Sequence, residues 1–359
     1  MTPFVRAATL SNYGEVATQV GLDGNAMVRR IGIDRRALDD PDLQISADSV
    51  VELLEASAQA SGCETFGLRM AESRQLADFG AVSLLITHQA TMRDALMTVV
   101  QYRQLLNPSL VVAVEEHGDV VVVREELLVS GRHDTRQAYE LAIGVIYRLF
   151  RAVLGPRWRA QSVNFNHAPP SDLAIHRRVF GPICEFGSDF NGLTCSRADM
   201  DAPNPTADPI LARHAERYVQ TLPNADRQSL AQEAQKAIYL LMPVGEASIG
   251  RVAASLGLNE RTLQRRLAAE GADFSDLLNR IRRDLTVRYV SNEGLPLARI
   301  AGLVGYVRQS SFNRWFAAEF GMSPSRWRAA RSAAAPPSPA LNRGGRQARP
   351  VSPERSSPQ

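Results

Sequence analysis

Apolar residues at three- and four-residue spacing predict a helix over residues 46–60, where Val50, Leu53, Leu54 and Ser57 share one face behind a Ser-Ala-Asp opening. The same period predicts a second helix over 92–106, stopped by Asn107-Pro108. β-Branched runs at 110–114 and 120–123 flank Glu115-Glu116-His117-Gly118-Asp119 and predict a hairpin turning near Gly118. Residues 137–154 are apolar enough to form a helix central to their domain, ended by Gly155-Pro156, and 163–167 read as a short strand. This half is α+β. Residues 201–209 hold three prolines and cannot continue a helix; a helix over 210–221 then leads to Leu222-Pro223-Asn224-Ala225, the expected joint between domains.

Beyond that joint the pattern repeats. Arg251-Val252-Ala253-Ala254-Ser255-Leu256-Gly257-Leu258 aligns with Arg299-Ile300-Ala301-Gly302-Leu303-Val304-Gly305-Tyr306, and Leu263 and Leu267 align with Phe312 and Phe316 after one inserted residue. Each copy reads as a helix-turn-helix. Ile249, Val252, Ala253 and Leu256 form the buried stripe of the first, Gly257 its turn, and Asn259 the cap of the following helix. Burying Leu263 and Leu267 turns Arg261, Gln264 and Arg265 outward. In the second copy Leu297, Ile300, Ala301 and Val304 lie inside, Gly305 turns the chain, and Gln309 or Ser310 is expected to cap. That leaves Gln309, Ser310, Asn313 and Arg314 for a groove. Arginine fits guanine O6/N7 bidentately, glutamine and asparagine fit adenine N6/N7, and both types reach phosphate. Between the copies, Phe274, Leu277, Leu278, Ile281, Leu285 and Tyr289 keep a helical period over 273–291. A helix of that length spans roughly 28 Å, enough to set two recognition helices in successive major grooves about 34 Å apart.

Charge follows the same division. Residues 1–227 carry 22 basic against 28 acidic side chains, residues 228–331 carry 15 against 9, and residues 332–359 carry 4 against 1. A basic block on an acidic body predicts a polyanion-binding module. No apolar run reaches the ~18 residues of a membrane span, and the first residues lack a signal-peptide core, so a cytoplasmic, nucleoid-associated location is expected. Cys63, Cys184 and Cys195 form no CxxC pair and predict neither a disulfide framework nor a structural metal. His167 reads as a polar strand-end residue; His176 and His214 lack an HExxH partner. There is no GxGxxG, GxSxG or Walker loop, so no catalytic residue, cofactor or metal is expected.

The segment from Gln228 to Arg331 resembles the AraC/XylS family of bacterial transcription regulators, on Leu258-Asn259-Glu260-Arg261-Thr262-Leu263-Gln264-Arg265-Arg266-Leu267, Gly305-Tyr306, Ser311-Phe312-Asn313-Arg314-Trp315-Phe316 and Gly321-Met322-Ser323-Pro324. The resemblance implies that Arg261, Gln264, Arg265, Gln309, Ser310, Asn313 and Arg314 face DNA. Val307-Arg308 departs from it, since members usually carry small or acidic residues there. Residues 163–169, 180–186 and 208–211 resemble the sensing domain of the ornithine-utilisation type, which implies small-molecule sensing. The expected organisation is a leader (1–14), a sensing and dimerising α+β domain (15–222), a tandem helix-turn-helix domain joined by a long helix (223–331) and a disordered Pro/Ser/Arg-rich tail (332–359). Overall the chain is expected to be mainly α. The expected function is an effector-responsive regulator, an activator more than a repressor, with duplex DNA, a small-molecule effector, RNA polymerase and a second copy of itself as partners. Two other readings fit the pattern: a DNA-targeted enzyme such as an alkyl-transfer repair protein, and a dimeric DNA binder without ligand.

Overall fold

The computed structural model describes residues 4–130, 134–223, 229–292 and 294–334. Its apolar side chains gather in two cores. The first runs from Val5 to Val219, helices around a five-stranded sheet; the second runs from Ala234 to Phe316 and is helical, joined by Val111 from the sheet and Leu128 just beyond it. The chain is mainly α with an α+β first half, as the periodicities predict.

The sheet lies in the order Leu110–His117, Val120–Leu127, Gly192–Ser196, Ser162–Phe165, Cys184–Phe186. Only the last pair is parallel. The hairpin is longer than its β-branched runs suggest. His117 pairs with Val120, so Glu115, Glu116 and His117 are strand, and Gly118-Asp119 alone make the turn, with Gly118 at φ 63°. Polar side chains are tolerated there because that end of an edge strand faces water.

Alternation gives the second strand two loyalties. Val121, Val123 and Leu127 enter the first core, while Glu126 points to the other face, where Val111 and Leu128 join the second core. The sheet is therefore a wall shared by both halves. On its first side lies the central helix, Arg136–Leu154, with Ile143, Tyr147 and Phe150 fully buried. The helix predicted over 46–60 is Ala47–Ser61, capped by the Ser46 hydroxyl accepting from the Ser49 N–H. The helix predicted over 92–106 breaks at Tyr102 into Met92–Gln101 and Arg103–Leu106. Its buried stripe, Met92, Ala95, Leu96 and Val99, continues onto Tyr102 and Arg103, so a guanidinium takes an inward position.

From Phe4 onward, the segment expected as a loose leader is instead built in. Phe4–Arg6 pairs antiparallel with Gln44–Ser46, and Val5 and Leu10 are buried. Val5 in the paired strand and Ala7 and Leu10 in the helical turn after it have a core to enter, which outweighs the entropy of a free end. The tail beyond the helix Pro324–Ala334 lies outside the described residues, as do Asn224 and Ala225 of the expected joint. No described helix is long and apolar enough to cross a membrane.

Glu125 shares the inward face of its strand, fully buried, and its Oε2 accepts no hydrogen bond among the described residues. Burial pushes its carboxyl up to about 8 from 4.5. Below the ordinary value both folded and unfolded chains hold the proton. Between the two values the unfolded chain ionises first, so Glu125 lowers stability as pH rises, and the full penalty persists above about pH 8. Glu125→Gln is expected to melt higher than wild type at alkaline pH, by about 2–4 °C per kcal/mol relieved, and to show a shallower decline in Tm as pH rises. Identical Tm-versus-pH curves for the two proteins would count against this placement of Glu125.

Candidate nucleic-acid interface

The first helix-turn-helix starts at Ser248, whose hydroxyl accepts from the Arg251 N–H at 3.3 Å, and its first helix is Ile249–Ser255. Val252 and Ala253 are buried; Ile249 and Leu256 pack at the margin of the core. Gly257 turns the chain at φ 66°. Asn259 then caps the helix Glu260–Ala269 as its sequence position predicts, its Oδ1 accepting from the Thr262 N–H at 2.8 Å. Leu263 and Leu267 are completely buried, and Arg261, Gln264 and Arg265 are exposed on the opposite side. Among the described residues neither arginine has an acidic partner within ion-pair distance.

The second unit repeats the plan with Leu297–Leu303, a turn at Gly305 (φ 81°) and the helix Gln309–Phe320. Its cap differs from expectation. Arg308 takes the extended N-cap conformation and no side chain caps the helix, because Gln309 and Ser310 already lie inside the first turn. Open N–H groups at that end are then free for an anion, and Gln309, Ser310 and Arg314 are exposed beside them. Asn313 is half-buried, with an Oδ1 that accepts nothing among the described residues. Phe312 and Phe316 are fully buried in an aromatic cluster with Tyr306, Trp315, Phe320 and Trp327. The Arg282 guanidinium lies 5.0 Å over Tyr306 and donates to the Val304 carbonyl, tying the turn to the connecting helix.

That connecting helix, Phe274–Ser291, has 18 residues, close to the predicted 273–291. Asp273 caps it, accepting from the Ser275 and Asp276 N–H groups. Its far end is fixed by a residue that sequence reasoning missed. Arg288 donates to the Tyr139 hydroxyl at 2.6 Å and to the Leu127 carbonyl at 2.6 Å, and lies 3.4 Å from the Glu126 carboxylate. Tyr139 in turn donates to Glu126 at 2.9 Å and accepts from the Leu127 N–H. Burial pushes Glu126 up, while Arg288 and Tyr139 hold it down. Asn292 donates to the Asn166 carbonyl and Arg299 pairs with Asp189 nearby. Sequence signal existed: Arg288 sits seven residues after Ile281, on the buried stripe.

On the other side of the same wall is a cavity of about 140 Å³. Leu127 and the central helix (Leu141, Val145, Ile146) contribute to it, as do Val50, Leu54, Arg74 and Arg103. Further along, Glu140 is fully buried with His176 at 3.3 Å and His167 at 3.5 Å, against Phe165 and Phe186. His167 is thus a member of a buried cluster, and burial pushes its pKa down. Burial also pushes the Cys184 and Cys195 thiols up to about 12, the reverse of what a nucleophilic thiolate needs.

Residues 21–204 match the family described as the arabinose-binding domain of AraC transcription regulator, N-terminal, and residues 252–330 match a helix-turn-helix domain. The chain is 32% identical to the HTH-type transcriptional regulator VirS of Mycobacterium tuberculosis over 327 residues, 90% of this chain and 96% of that one. It is 21% identical to the ornithine utilization regulator of Pseudomonas aeruginosa, over 88% of this chain and 94% of that one. The solved structure of CdpR from Pseudomonas aeruginosa covers 88% of this chain and 98% of its own at 20% identity and a TM-score of 0.42. The relatives are transcription regulators, and this chain belongs to the AraC family as a DNA-binding, helix-turn-helix transcription regulator with a sensing domain at its N-terminal end.

Proposed function

We propose that Arg261, Gln264 and Arg265 enter one major groove and Gln309, Ser310, Asn313 and Arg314 the next. The observation that carries this reading is the repeated geometry: on both helices the apolar pair is fully buried and the equivalent arginine, Arg265 or Arg314, is exposed. Residues 15–222 form the sensing unit, extended to include Phe4–Leu10, and residues 223–331 the DNA-binding unit. An effector in the cavity changes the packing of Leu127 and of the central helix that carries Tyr139. Arg288 passes that change to the connecting helix, so the two recognition helices are presented differently. This reading is supported by one hydrogen-bonded network, Arg288 with Tyr139, Leu127 and Glu126, that touches both halves. In this reading the chain acts in the cytoplasm as a homodimer, and it activates transcription through RNA polymerase.

Four variants separate readout from packing. The operator is first selected from a random duplex pool with the full-length chain. Arg265→Ala and Arg314→Ala are expected to melt like wild type and to bind that operator about 1–3 kcal/mol more weakly, each with relaxed preference at one position. Leu263→Ala and Phe312→Ala are expected to lose roughly 2–5 kcal/mol of stability through the cavities they leave. Arginine variants that unfold, while binding per folded molecule is unchanged, would reverse the assignment of helix faces. A second test concerns the relay. Tyr139→Phe removes the hydroxyl shared by Arg288, Glu126 and Leu127, and is expected to cost about 1–3 kcal/mol and to speed amide exchange across residues 281–291. Unchanged exchange there means that the sheet does not brace the helix.

A further inference from the structure

The cavity carries a chemical signature that narrows its ligand, on the reading that the N-terminal half senses an effector. Most of its wall is apolar, from Val50, Val51, Leu54, Leu141, Val145 and Ile146. Its volume of about 140 Å³ is close to the ~150 Å³ of an engineered apolar cavity that admits one benzene ring. The polar part of the wall is cationic. Arg74 and Arg103 are 6% and 4% exposed, yet neither has a carboxylate within ion-pair distance among the described residues. Arg103 donates from Nη1 to the Pro108 carbonyl at 3.2 Å, and its Nε and Nη2 have no acceptor among the described residues. Arg74 donates to the carbonyls of Ala8 and Thr9, and its Nε is also left over. The third wall arginine, Arg6, is already held by Asp42 at 2.6 Å. Asp78, the acidic residue in the wall, accepts from the Gln75 N–H instead.

A buried guanidinium without an anion is costly, and a cavity beside it gives the anion a place to come from. We propose that this cavity binds a monocarboxylic acid whose apolar tail is one ring or a chain of about six to eight carbons, with its carboxylate drawing the unpaired, buried N–H groups of Arg103 toward the cavity in the field of Arg74. The valine and leucine wall takes the tail; its one carboxylate, Asp78, is bonded to the Gln75 N–H and lies in the field of Arg74, so the wall favours an anion over an amine. Arg103 also connects the cavity to the DNA-binding half. Its neighbour Gln104 donates to the Gln232 side chain at 3.0 Å, on the helix Leu230–Leu241 that packs against the first helix-turn-helix. Burial lowers the pKa of Arg103, with Glu233 of that helix opposing, and Lys236 of the same helix is lowered by burial and by Arg103 itself. A ligand carboxylate on Arg103 competes with Glu233 and screens Lys236, so its arrival is felt on the helix beside Val252 and Leu263.

The test uses the full-length chain with sodium octanoate, 1-octanol, octylamine and ornithine as probes, read by calorimetric titration and by Tm. Octanoate is expected to bind and to raise Tm with the logarithm of its concentration above Kd, with 1-octanol and octylamine weaker by roughly tenfold or more, the worth of a hydrogen bond to a charged group. Arg103→Gln is expected to lose octanoate affinity by a similar factor, and Arg103→Lys to keep part of it. Equal stabilisation by octanol and octanoate, stabilisation by ornithine alone, no response to any probe, or a folded Arg103→Gln that binds octanoate undiminished each overturns the proposal. If Arg103→Gln does not fold, the wild-type comparison of octanoate with octanol decides. Duplex binding by the ligand-free chain is measured alongside. Its loss would strike at the regulator reading, whereas intact duplex binding with indifference to octanoate strikes only at this inference.

Discussion

A guanidinium that leaves water needs acceptors waiting where it goes, and Arg288 finds three on one wall: the Tyr139 hydroxyl, the Leu127 carbonyl and the Glu126 carboxylate. Its side chain is 6% exposed, and so is that of Glu126. In a medium that screens poorly, such a network tolerates little displacement before a donor is orphaned. Its Nε is already without an acceptor. The connecting helix is therefore positioned by the sheet at one end and, through Arg282 on the Val304 carbonyl, by the second turn further back. Both recognition helices hang on that one rod.

The same wall explains why sensing and binding can be coupled at all. A strand whose alternate residues serve two cores cannot shift for one and stay still for the other. Leu127 is shared most directly: its side chain lines the cavity while its carbonyl accepts from Arg288. Tyr139 belongs to the helix that supplies Leu141 and Val145 to the cavity. In the proposed mechanism, a small rearrangement of the cavity changes the acceptors of a buried charge, which gives a small movement a large energetic consequence.

Much of this was legible in the chain before any coordinates. The stripe of Val252 and Ala253, the turn at Gly257, the cap at Asn259 and the burial of Leu263, Leu267, Phe312 and Phe316 are local patterns, and local patterns survive folding. The hairpin around Gly118 was legible for the same reason, although its strands run further into polar residues than propensity suggests. The cap of the second recognition helix was misread because its departure from the first copy fell at Val307-Arg308, where neither residue offers a capping oxygen. What stayed hidden was long-range. Arg103 and Arg288 lie on the inward stripes of their helices, but an inward arginine reads as a solvated one until its partners are known, and Tyr139 stands 149 residues before Arg288. The cluster of Glu140 with His167 and His176 is hidden likewise, because strand, loop and helix must fold before those side chains meet.

The central claim is that one braced helix sets the separation of two equivalent recognition helices. Hydroxyl-radical and methylation footprinting of the full-length chain on its selected operator measures that separation directly. The account predicts two protected major-groove segments on one face of the duplex, about 10–10.5 base pairs apart per monomer. A single protected groove per monomer, or two segments on opposite faces of the duplex, would contradict it.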